Sequence, residues 1–359
     1  MLREINDERQ ERQFMGHERV LVTGGSGFIA GHCLLKLLEE GYKVRTTVRS
    51  LSREAAIRSV LTDAGMVNGG NLSFTEADLT GDDRWPEAMD GVDYVLHVAS
   101  PVVPGNVANE DEVVEPAREG TRRVLRAATN AGVKRVVLTS AFHAVAWGYP
   151  RSDHVFTEAD WSRLDGPGVD AYAKSKTLAE QAAWDFVASE PEAPELTTVL
   201  PVAVMGHVLG TDISGANHLL QMMLTGAMPG YPRMFVPIVD VRDVAVGHFL
   251  AMTTPTAAGQ RFLLSNGTAI ATKDIGALLR ARLGASANRV PTRTIPDFIV
   301  RAAAVFSAQF RPVAADLGFA RRTSNAKARS MLGWEPRPAE EAIVSAAESL
   351  VATNRLSAS

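Results

Sequence analysis

Tyr172 and Lys176 are the residues of this sequence whose types and spacing point most directly to chemistry. They stand four apart in the segment YAKSK, so a helix places them on one face and turns Lys174 toward solvent. A nearby ammonium group lowers the pKa of a phenol and can also hold a ribose hydroxyl. Such a phenol donates a proton to a carbonyl group that receives hydride. We therefore predict that Tyr172 and Lys176 are catalytic and that both contact a nucleotide cofactor.

A glycine-rich turn is the predicted binding site for that cofactor. The segment TGGSGFIAG, residues 23–31, lies between a β-branched strand run at 19–23 and a helical pattern at 28–40. Gly24 and Gly27, with the small Ala30, let backbone N–H groups approach a pyrophosphate at a helix N-terminus. The turn therefore predicts dinucleotide binding. The predicted contacts are Thr23, Gly24, Ser26, Gly27, Phe28 and Ile29.

The end of the second predicted strand favours NADP(H) as the cofactor. Arg49 and Arg53 follow this strand, and no Asp or Glu occurs between positions 40 and 54. An NAD site usually has a carboxylate here for the ribose hydroxyls, whereas an arginine suits a 2′-phosphate. We predict Arg49 as the stronger contact; the alternative is a solvated arginine at a strand end. Asp78 and Leu79, just after the third strand, are predicted to lie at the adenine edge.

Strand and helix signals alternate from residue 19 to about residue 140, and these elements must position the motifs. The run RVVLT at 135–139 is almost continuously apolar, as expected for a strand covered on both faces. Alternation of this kind indicates parallel β-α-β units. The predicted fold class is therefore α/β, a Rossmann-type doubly wound parallel sheet with a smaller C-terminal α/β substrate-binding lobe.

The predicted domain boundaries follow the change from regular to irregular patterning. Residues 17–204 form the dinucleotide-binding domain, and 236–265 return to it. Residues 205–235, rich in Gly, Pro and Met, and residues 266–359 form the substrate-binding lobe. Residues 1–16 are predicted to be a mobile extension; the alternative is an upstream start codon used in place of Met15.

Composition and charge exclude several other classes of protein. The chain has 359 residues, of which 46% are hydrophobic and 22% charged, which is typical of a globular protein and excludes a disordered one. The net charge of −4 gives no general attraction to nucleic acid or to an anionic membrane. The charged first 14 residues lack a signal-peptide core and no apolar run spans a bilayer, so a cytoplasmic location is expected.

Cysteine and histidine usage predicts no disulfide and no metal site. Cys33 is the single cysteine, and its apolar helical surroundings favour a buried, inert thiol over a reactive one. His207, His218 and His248 lack metal-ligand spacing. His97, at the end of the fourth strand, is predicted to be structural rather than catalytic.

In combination, TGGSGFIAG, HVASP (97–101), RVVLTS (135–140), YAKSK and TLAEQAAW resemble the extended short-chain dehydrogenase/reductases. Within that family the sequence is most similar to the dihydroflavonol 4-reductase, cinnamoyl-CoA reductase and microbial NADPH-dependent aldehyde and ketone reductase group. The resemblance covers residues 17–355. It implies reduction of an aldehyde or ketone to an alcohol with NADPH, with Tyr172, Lys176, Gly24, Gly27 and Arg49 at the matching family positions.

The same resemblance implies further contacts. Val98, Ala99, Ser100, Pro201 and Val204 would line the cofactor, although Pro201 also serves as a simple strand terminator. Several apolar residues fall in segments that line the substrate pocket of this group, and together with His143 they suggest an apolar or aryl substrate. These residues are Pro101, Val102, Phe142, Met205, Met222, Met223 and Phe235.

The sequence departs from the family at one position that matters for catalysis. The serine that usually follows the fifth strand is replaced by Ala141, and Ser140 stands one place early. Because strand side chains alternate between faces, Ser140 reaches the site only if the backbone turns there. Three hypotheses remain: Ser140 acts as the catalytic serine, His143 donates the hydrogen bond instead, or Tyr172 and Lys176 work alone.

The function predicted from these observations is an NADPH-dependent carbonyl reductase acting reversibly on a small carbonyl or alcohol substrate. A nucleotide-sugar epimerase or dehydratase is one alternative, and Arg49 argues against it. A 3β-hydroxysteroid dehydrogenase-like enzyme and a non-catalytic NADP(H)-sensing regulator are the others. The protein is expected to be a monomer or a homodimer, because a face bearing Leu178, Ala182 and Phe186 suits either interior packing or a dimer seam.

Overall fold

The computed structural model of the chain describes residues 18–101, 109–210, 212–307 and 310–353. The predicted N-terminal extension and the predicted substrate contact Val102 lie outside the described residues.

A seven-stranded sheet forms the centre of the molecule. Its strands follow the order β11-β7-β5-β4-β1-β2-β3, and every pairing in it is parallel. β1 lies in the middle, so the glycine turn that follows it emerges between β2 and β4. The strands are β1 (Arg19–Val22), β2 (Lys43–Val48), β3 (Leu72–Glu76), β4 (Tyr94–His97), β5 (Arg135–Thr139), β7 (Glu195–Pro201) and β11 (Arg261–Leu264).

Helices cover both faces of this sheet, which accounts for the apolar strands. On one face α1 (Phe28–Glu39) packs against α7 (Val241–Thr253), and α2 (Glu54–Asp63) adds Ile57 and Leu61 to the same core. On the other face α4 (Asp111–Asn130) packs along α5 (Ala171–Ser189), with α3 (Trp85–Met89) beside them. The predicted Rossmann-type doubly wound parallel sheet is therefore confirmed.

The C-terminal part adds short strand pairs and further helices. β8 pairs with β10, β9 with β12, and β6 with β13. The strands are β6 (Val155–Phe156), β8 (Ala203–Met205), β9 (Phe235–Val236), β10 (Ile238–Asp240), β12 (Ile270–Ala271) and β13 (Arg322–Thr323). The helices are α6 (Asn217–Thr225), α8 (Thr272–Leu283), α9 (Asp297–Phe306), α10 (Arg311–Asp316), α11 (Ala326–Leu332) and α12 (Ala339–Ala352).

A separate apolar cluster joins α6, α8 and α12 and includes Met205 and Tyr231. We propose that this cluster is the core of the smaller lobe predicted from residues 205–235 and 266–359. Ala328, Leu332 and Trp334 of that range pack instead into the core beside α1 and α7. The C-terminal segment therefore also contacts the nucleotide-binding part of the fold.

No helix in the described ranges is long and apolar enough to cross a membrane. The same residues contain no cluster of three or more His, Cys, Asp or Glu side chains that could hold a metal ion. Cys33 is fully buried, and this burial raises the pKa of its thiol. A protonated, buried thiol agrees with the inert role predicted for it.

Candidate active site

The turn after β1 forms a cradle of exposed backbone. Gly24 adopts a positive φ of 74°, and a Cβ atom there would lie 2.9 Å from the Cβ of Ala99. The Gly24 N–H donates to Thr47 Oγ1 at 2.9 Å, which ties the turn to β2. Gly27 then begins α1 without any side-chain cap. The N–H groups of the first helical turn, which no N-cap side chain accepts, can bind the pyrophosphate of a dinucleotide.

Thr23 connects the ends of β1 and β4 by hydrogen bonds next to this turn. Its Oγ1 accepts the N–H groups of Val98 and Ala99 at 3.0 and 2.9 Å and lies 2.9 Å from His97 Nδ1. Burial, and secondly the charge of Lys176, lower the pKa of His97 to about 3. Because Thr23 Oγ1 already accepts two N–H groups, its hydroxyl donates to His97 Nδ1. The neutral His97 ring therefore carries its proton on Nε2. The geometry agrees with a structural role for His97.

Of the two arginines predicted to bind the 2′-phosphate, Arg53 lies beside Ser26. Arg53 donates to Ser26 Oγ at 3.3 Å and lies 3.6 Å from the Asp212 carboxylate. Arg49 is exposed at the end of β2. The backbone N–H and hydroxyl of Thr80, and to a smaller extent the charge of Arg49, lower the pKa of Asp78. Arg53 is therefore the arginine that touches the cradle, whereas Arg49 is free to turn toward a ligand.

α5 presents Tyr172 and Lys176 on one face, as the spacing predicts. Asp170 caps the helix by accepting the Ala173 N–H at 2.8 Å, so Tyr172 stands in its first turn. The Lys176 Nζ lies 5.8 Å from the centre of the Tyr172 ring, and the Tyr172 side chain is 40% exposed. Lys174 points elsewhere and pairs with Glu110 at 2.5 Å.

Burial shifts the pKa values of both members of this pair. Desolvation, and secondly the charge of Asp170, raise the pKa of Tyr172 to about 12. Desolvation lowers the pKa of Lys176 to about 8. Lys176 is not among the groups that shift the phenol pKa in this arrangement, so the lowering of that pKa by its ammonium stays a prediction. At neutral pH Tyr172 therefore holds the proton that a reduction step requires.

Ser140 is turned into the interior. Its hydroxyl donates to Glu180 Oε2 at 2.7 Å, and the residue is 4% exposed. Ala141, which replaces the family serine, is also buried and carries no hydroxyl. While the bond to Glu180 is in place, Ser140 has no proton to give to a carbonyl oxygen. The Ser140 N–H donates to the Val199 carbonyl of β7 at 2.9 Å, and Ala141 has extended backbone, so Ser140 continues the strand direction of β5.

His143 is a second polar side chain beside Tyr172. The two rings meet edge to face with centres 4.8 Å apart, and His143 stacks on Trp147 with centres 3.7 Å apart. The guanidinium of Arg321 lies over the Trp147 ring, 4.4 Å from its centre. Burial, followed by the charges of Arg321 and Lys176, lowers the pKa of His143 to about 3. The ring is therefore neutral and has one N–H group to donate.

Some of the predicted cofactor and substrate residues are accessible to a ligand, and others are buried. Pro101, Val204 and Phe235 are half-buried and Met222 is 42% exposed, so a ligand can reach them. Phe142 packs in the core between Trp147 and Phe156, and Met205 is fully enclosed in the C-terminal cluster. Pro201 and Met223 are buried as well. These four residues offer little surface to a ligand.

Trp147 and Arg321 also lie beside Tyr172 and His143, and neither was predicted from the sequence. Trp147 lies in an irregular loop outside every periodic pattern, and Arg321 comes from a C-terminal segment far along the chain. The fold brings them together because β13, next to Arg321, pairs with β6, which follows the Trp147 loop. The aromatic residues of segment 142–149 are the sequence feature that could have indicated Trp147.

Comparison with known proteins agrees with this geometry. The family model described as "NAD dependent epimerase/dehydratase family" matches residues 20–264. Cinnamoyl-CoA reductase 1 of Arabidopsis thaliana is 37% identical over 251 residues, covering 68% of this chain and 70% of that protein. Ketoreductase azaE of Aspergillus niger is 33% identical over 300 residues, covering 78% and 87%.

A solved structure extends the similarity over nearly the whole chain. The yeast methylglyoxal/isovaleraldehyde reductase Gre2 complexed with NADPH superposes with a TM-score of 0.74 at 26% identity. The match covers 94% of this chain and 99% of that one. The resemblance predicted from the motifs is confirmed by these matches. The chain belongs to the NAD dependent epimerase/dehydratase family, that is, to the extended short-chain dehydrogenase/reductases.

Proposed function

We propose that this NADP-dependent oxidoreductase, which reduces carbonyl groups with NADPH, acts reversibly on an apolar or aryl aldehyde or ketone. The observation that carries the proposal is the meeting of a protonated, part-exposed Tyr172 with the neutral His143 ring, 4.8 Å between ring centres. Two neighbouring uncharged side chains that can each donate a hydrogen bond suit an oxygen that gains negative charge as hydride arrives.

The cofactor would lie along the carboxyl edge of the sheet, where its residues are already arranged. The cradle at Gly24 and Gly27 receives the pyrophosphate, and Arg49 with Arg53 receives the 2′-phosphate. Lys176 holds the nicotinamide ribose. Bound NADPH supplies the hydride, and Tyr172 gives its proton to the carbonyl oxygen.

His143 is our choice among the three hypotheses for the second hydrogen bond. The Ser140 hydroxyl donates its hydrogen bond to Glu180, and Ala141 has no hydroxyl group. The neutral imidazole of His143 stands against the Tyr172 ring, held in orientation by its stack on Trp147. An N–H donor in this place supports the carbonyl oxygen as the missing serine hydroxyl would.

The walls of the site support an apolar, preferably aryl, substrate. His143, edge to face with Tyr172, and Phe235 are half-buried aromatic rings, and Met222 is 42% exposed in the C-terminal part. Flat apolar surface of this kind favours stacking with an aromatic ring. Cinnamoyl-CoA reductase and the azaE ketoreductase, by their names, act on substrates with carbonyl groups.

The test is the loss of NADPH absorbance, with NADH in parallel, across a panel of aryl aldehydes, aliphatic aldehydes and diketones. Turnover with NADPH that is fastest on aryl aldehydes supports the proposal. Equal rates on short polar carbonyls would overturn the substrate class while leaving carbonyl reduction intact. Binding of NADPH without turnover on any carbonyl would favour the sensing regulator, and conversion of a nucleotide sugar would favour the epimerase.

A further inference from the structure

Arg321 is a positive charge beside the candidate active site that none of the roles above uses. Its guanidinium lies over the Trp147 ring, 4.4 Å from its centre, and its side chain is 15% exposed. Trp147 stacks on His143 with ring centres 3.7 Å apart, and His143 meets Tyr172 edge to face at 4.8 Å. An unbroken series of contacts therefore leads from Arg321 to the predicted proton donor.

Several contacts fix the guanidinium of Arg321. Its Nε donates to the Ala146 carbonyl at 3.3 Å, and its Nη2 donates to Asp316 Oδ1 at 2.9 Å. The centre of the Phe319 ring lies 5.2 Å from the guanidinium carbon. A planar guanidinium that is held by two hydrogen bonds and packs on rings keeps one orientation. It therefore offers the Trp147 ring a fixed surface to pack on.

The Trp147 ring in turn supports the His143 ring. Ser162 holds the backbone here, because its hydroxyl accepts the Trp147 N–H at 2.8 Å and donates to the His143 carbonyl at 2.7 Å. Those bonds leave the side-chain torsions of both residues free. In the described parts of the chain no hydrogen bond holds the His143 imidazole, so its ring contacts decide where it points.

We propose that Arg321 is a positioning residue for carbonyl reduction: by packing on Trp147 it keeps the His143 ring beside Tyr172, where the carbonyl oxygen of the substrate would bind. The inference rests on the proposed function for the role of His143, and on the ring contacts for the positioning. Arg322, the next residue along the chain, is exposed on β13. The role therefore belongs to one of two adjacent arginines.

The charges around His143 agree with this arrangement. Burial, followed by the charge of Arg321 and then that of Lys176, lowers the pKa of His143 to about 3. Coulomb interactions weaken with distance, so this effect requires Arg321 to lie close to His143. Burial raises the pKa of Tyr172 to about 12, and Asp316 forms an ion pair with Arg321 at 2.9 Å. The ring that Arg321 positions is therefore neutral and keeps one N–H group to donate.

The position of His143 can be measured on the cofactor-free protein, without relying on activity. Diethyl pyrocarbonate modifies neutral, accessible imidazoles, and peptide mass spectrometry reads the rate at each histidine. In Arg321→Met, which keeps an apolar chain but no charge, we expect His143 to react about tenfold faster at pH 7, because the Trp147 ring loses its support. The exposed His218 is the internal reference and should not change. An unchanged His143 rate in folded Arg321→Met overturns the proposal.

The matched control is Arg163→Met. The Arg163 guanidinium lies 4.4 Å from the centre of the Tyr149 ring, the distance that also separates Arg321 from the Trp147 ring. This variant should leave the His143 rate as in the wild type, and an increase equal to that in Arg321→Met would overturn the specific role. Arg321→Lys keeps a positive charge for Trp147 and should return the His143 rate to within about threefold of the wild type.

Kinetics of the enzyme with NADPH show whether Arg321 acts through His143. Arg321→Met should lower kcat about tenfold and leave the affinity for NADPH unchanged. In a protein that already carries His143→Phe, the same substitution should lower kcat by less than about twofold, because the N–H group that Arg321 positions is gone. Equal losses in the two backgrounds would show a general structural role and overturn the proposal.

A second variant keeps the test decisive if Arg321→Met leaves Asp316 unpaired and fails to fold. The double variant Arg321→Met/Asp316→Asn removes both charges of the ion pair, and the proposal predicts the same faster modification of His143. Failure of the proposed function looks different. Wild-type protein would then reduce no carbonyl, while the modification rates would still show whether Arg321 positions His143.

Discussion

At the scale of single residues, the second hydrogen bond to the carbonyl oxygen decides between His143 and Ser140. His143→Phe keeps an aromatic ring on Trp147 but has no N–H group, so we expect kcat/KM to fall about 100-fold. Ser140→Ala should change kcat/KM by less than about threefold, because its hydroxyl donates to Glu180. Steady-state kinetics of both variants provide the check. A larger loss of kcat/KM in Ser140→Ala than in His143→Phe would show that Ser140 donates the second hydrogen bond.

Arg49 provides a second residue-scale prediction, concerning cofactor choice. Removing a guanidinium that pairs with a phosphate costs about 1.5–3 kcal/mol, or 10- to 100-fold in affinity. Arg49→Ala should therefore weaken NADPH binding by that factor and leave NADH binding nearly unchanged, as measured by fluorescence titration. Arg53→Ala serves as the comparison because Arg53 touches Ser26 in the cradle. Equal losses for both cofactors in Arg49→Ala would show that Arg49 does not contact the 2′-phosphate.

At the scale of elements, the turn between β1 and α1 depends on close approach as well as on backbone freedom. Gly24→Ala would place a Cβ 2.9 Å from that of Ala99 at a positive φ, whereas Gly41→Ala has the same kind of φ and nothing within 4 Å. Both should lose about 1–2 kcal/mol of unfolding free energy to backbone strain. Gly24→Ala should lose more and also bind NADPH more weakly. Equal losses in urea unfolding would contradict this account of the turn.

Elements also explain what could be predicted from the sequence. The glycine turn, the apolar strands and the Tyr172–Lys176 spacing each lie within one element or one connection, so local patterns indicate them. Whether Ser140 faces the site depends on a carboxylate from α5 and an arginine from β11, which no local pattern links. The arrangement of Trp147, His143 and Arg321 likewise arises from segments that meet only in the folded chain.

At the scale of the whole molecule, buried neutral histidines couple folding to acidity. Burial lowers the pKa of His32 and His248 to about 4 and of His97 and His143 to about 3, against 6.5 for the unpaired side chain. Below pH 6.5 these histidines bind protons in the unfolded chain but stay neutral in the folded one. The free energy of unfolding therefore falls as the pH drops from 6.5 toward the folded-state pKa values. Each group contributes up to about 1.4 kcal/mol per pH unit.

The corresponding measurement is the urea midpoint of unfolding at pH 7.5 and pH 5. We expect a clearly lower midpoint at pH 5 with an unchanged slope, because the histidines must charge on unfolding. A midpoint that is independent of pH over this range would mean that these rings are already charged or exposed in the folded protein.

The central claim, that Tyr172 gives the proton while NADPH gives the hydride, is tested most directly by turnover of Tyr172→Phe on the best aldehyde of the panel. Tyr94→Phe, at the opposite end of the sheet, is the control. We predict that Tyr172→Phe loses at least about 1,000-fold in kcat and still binds NADPH with wild-type affinity, while Tyr94→Phe stays active. Substantial turnover by Tyr172→Phe would contradict the account.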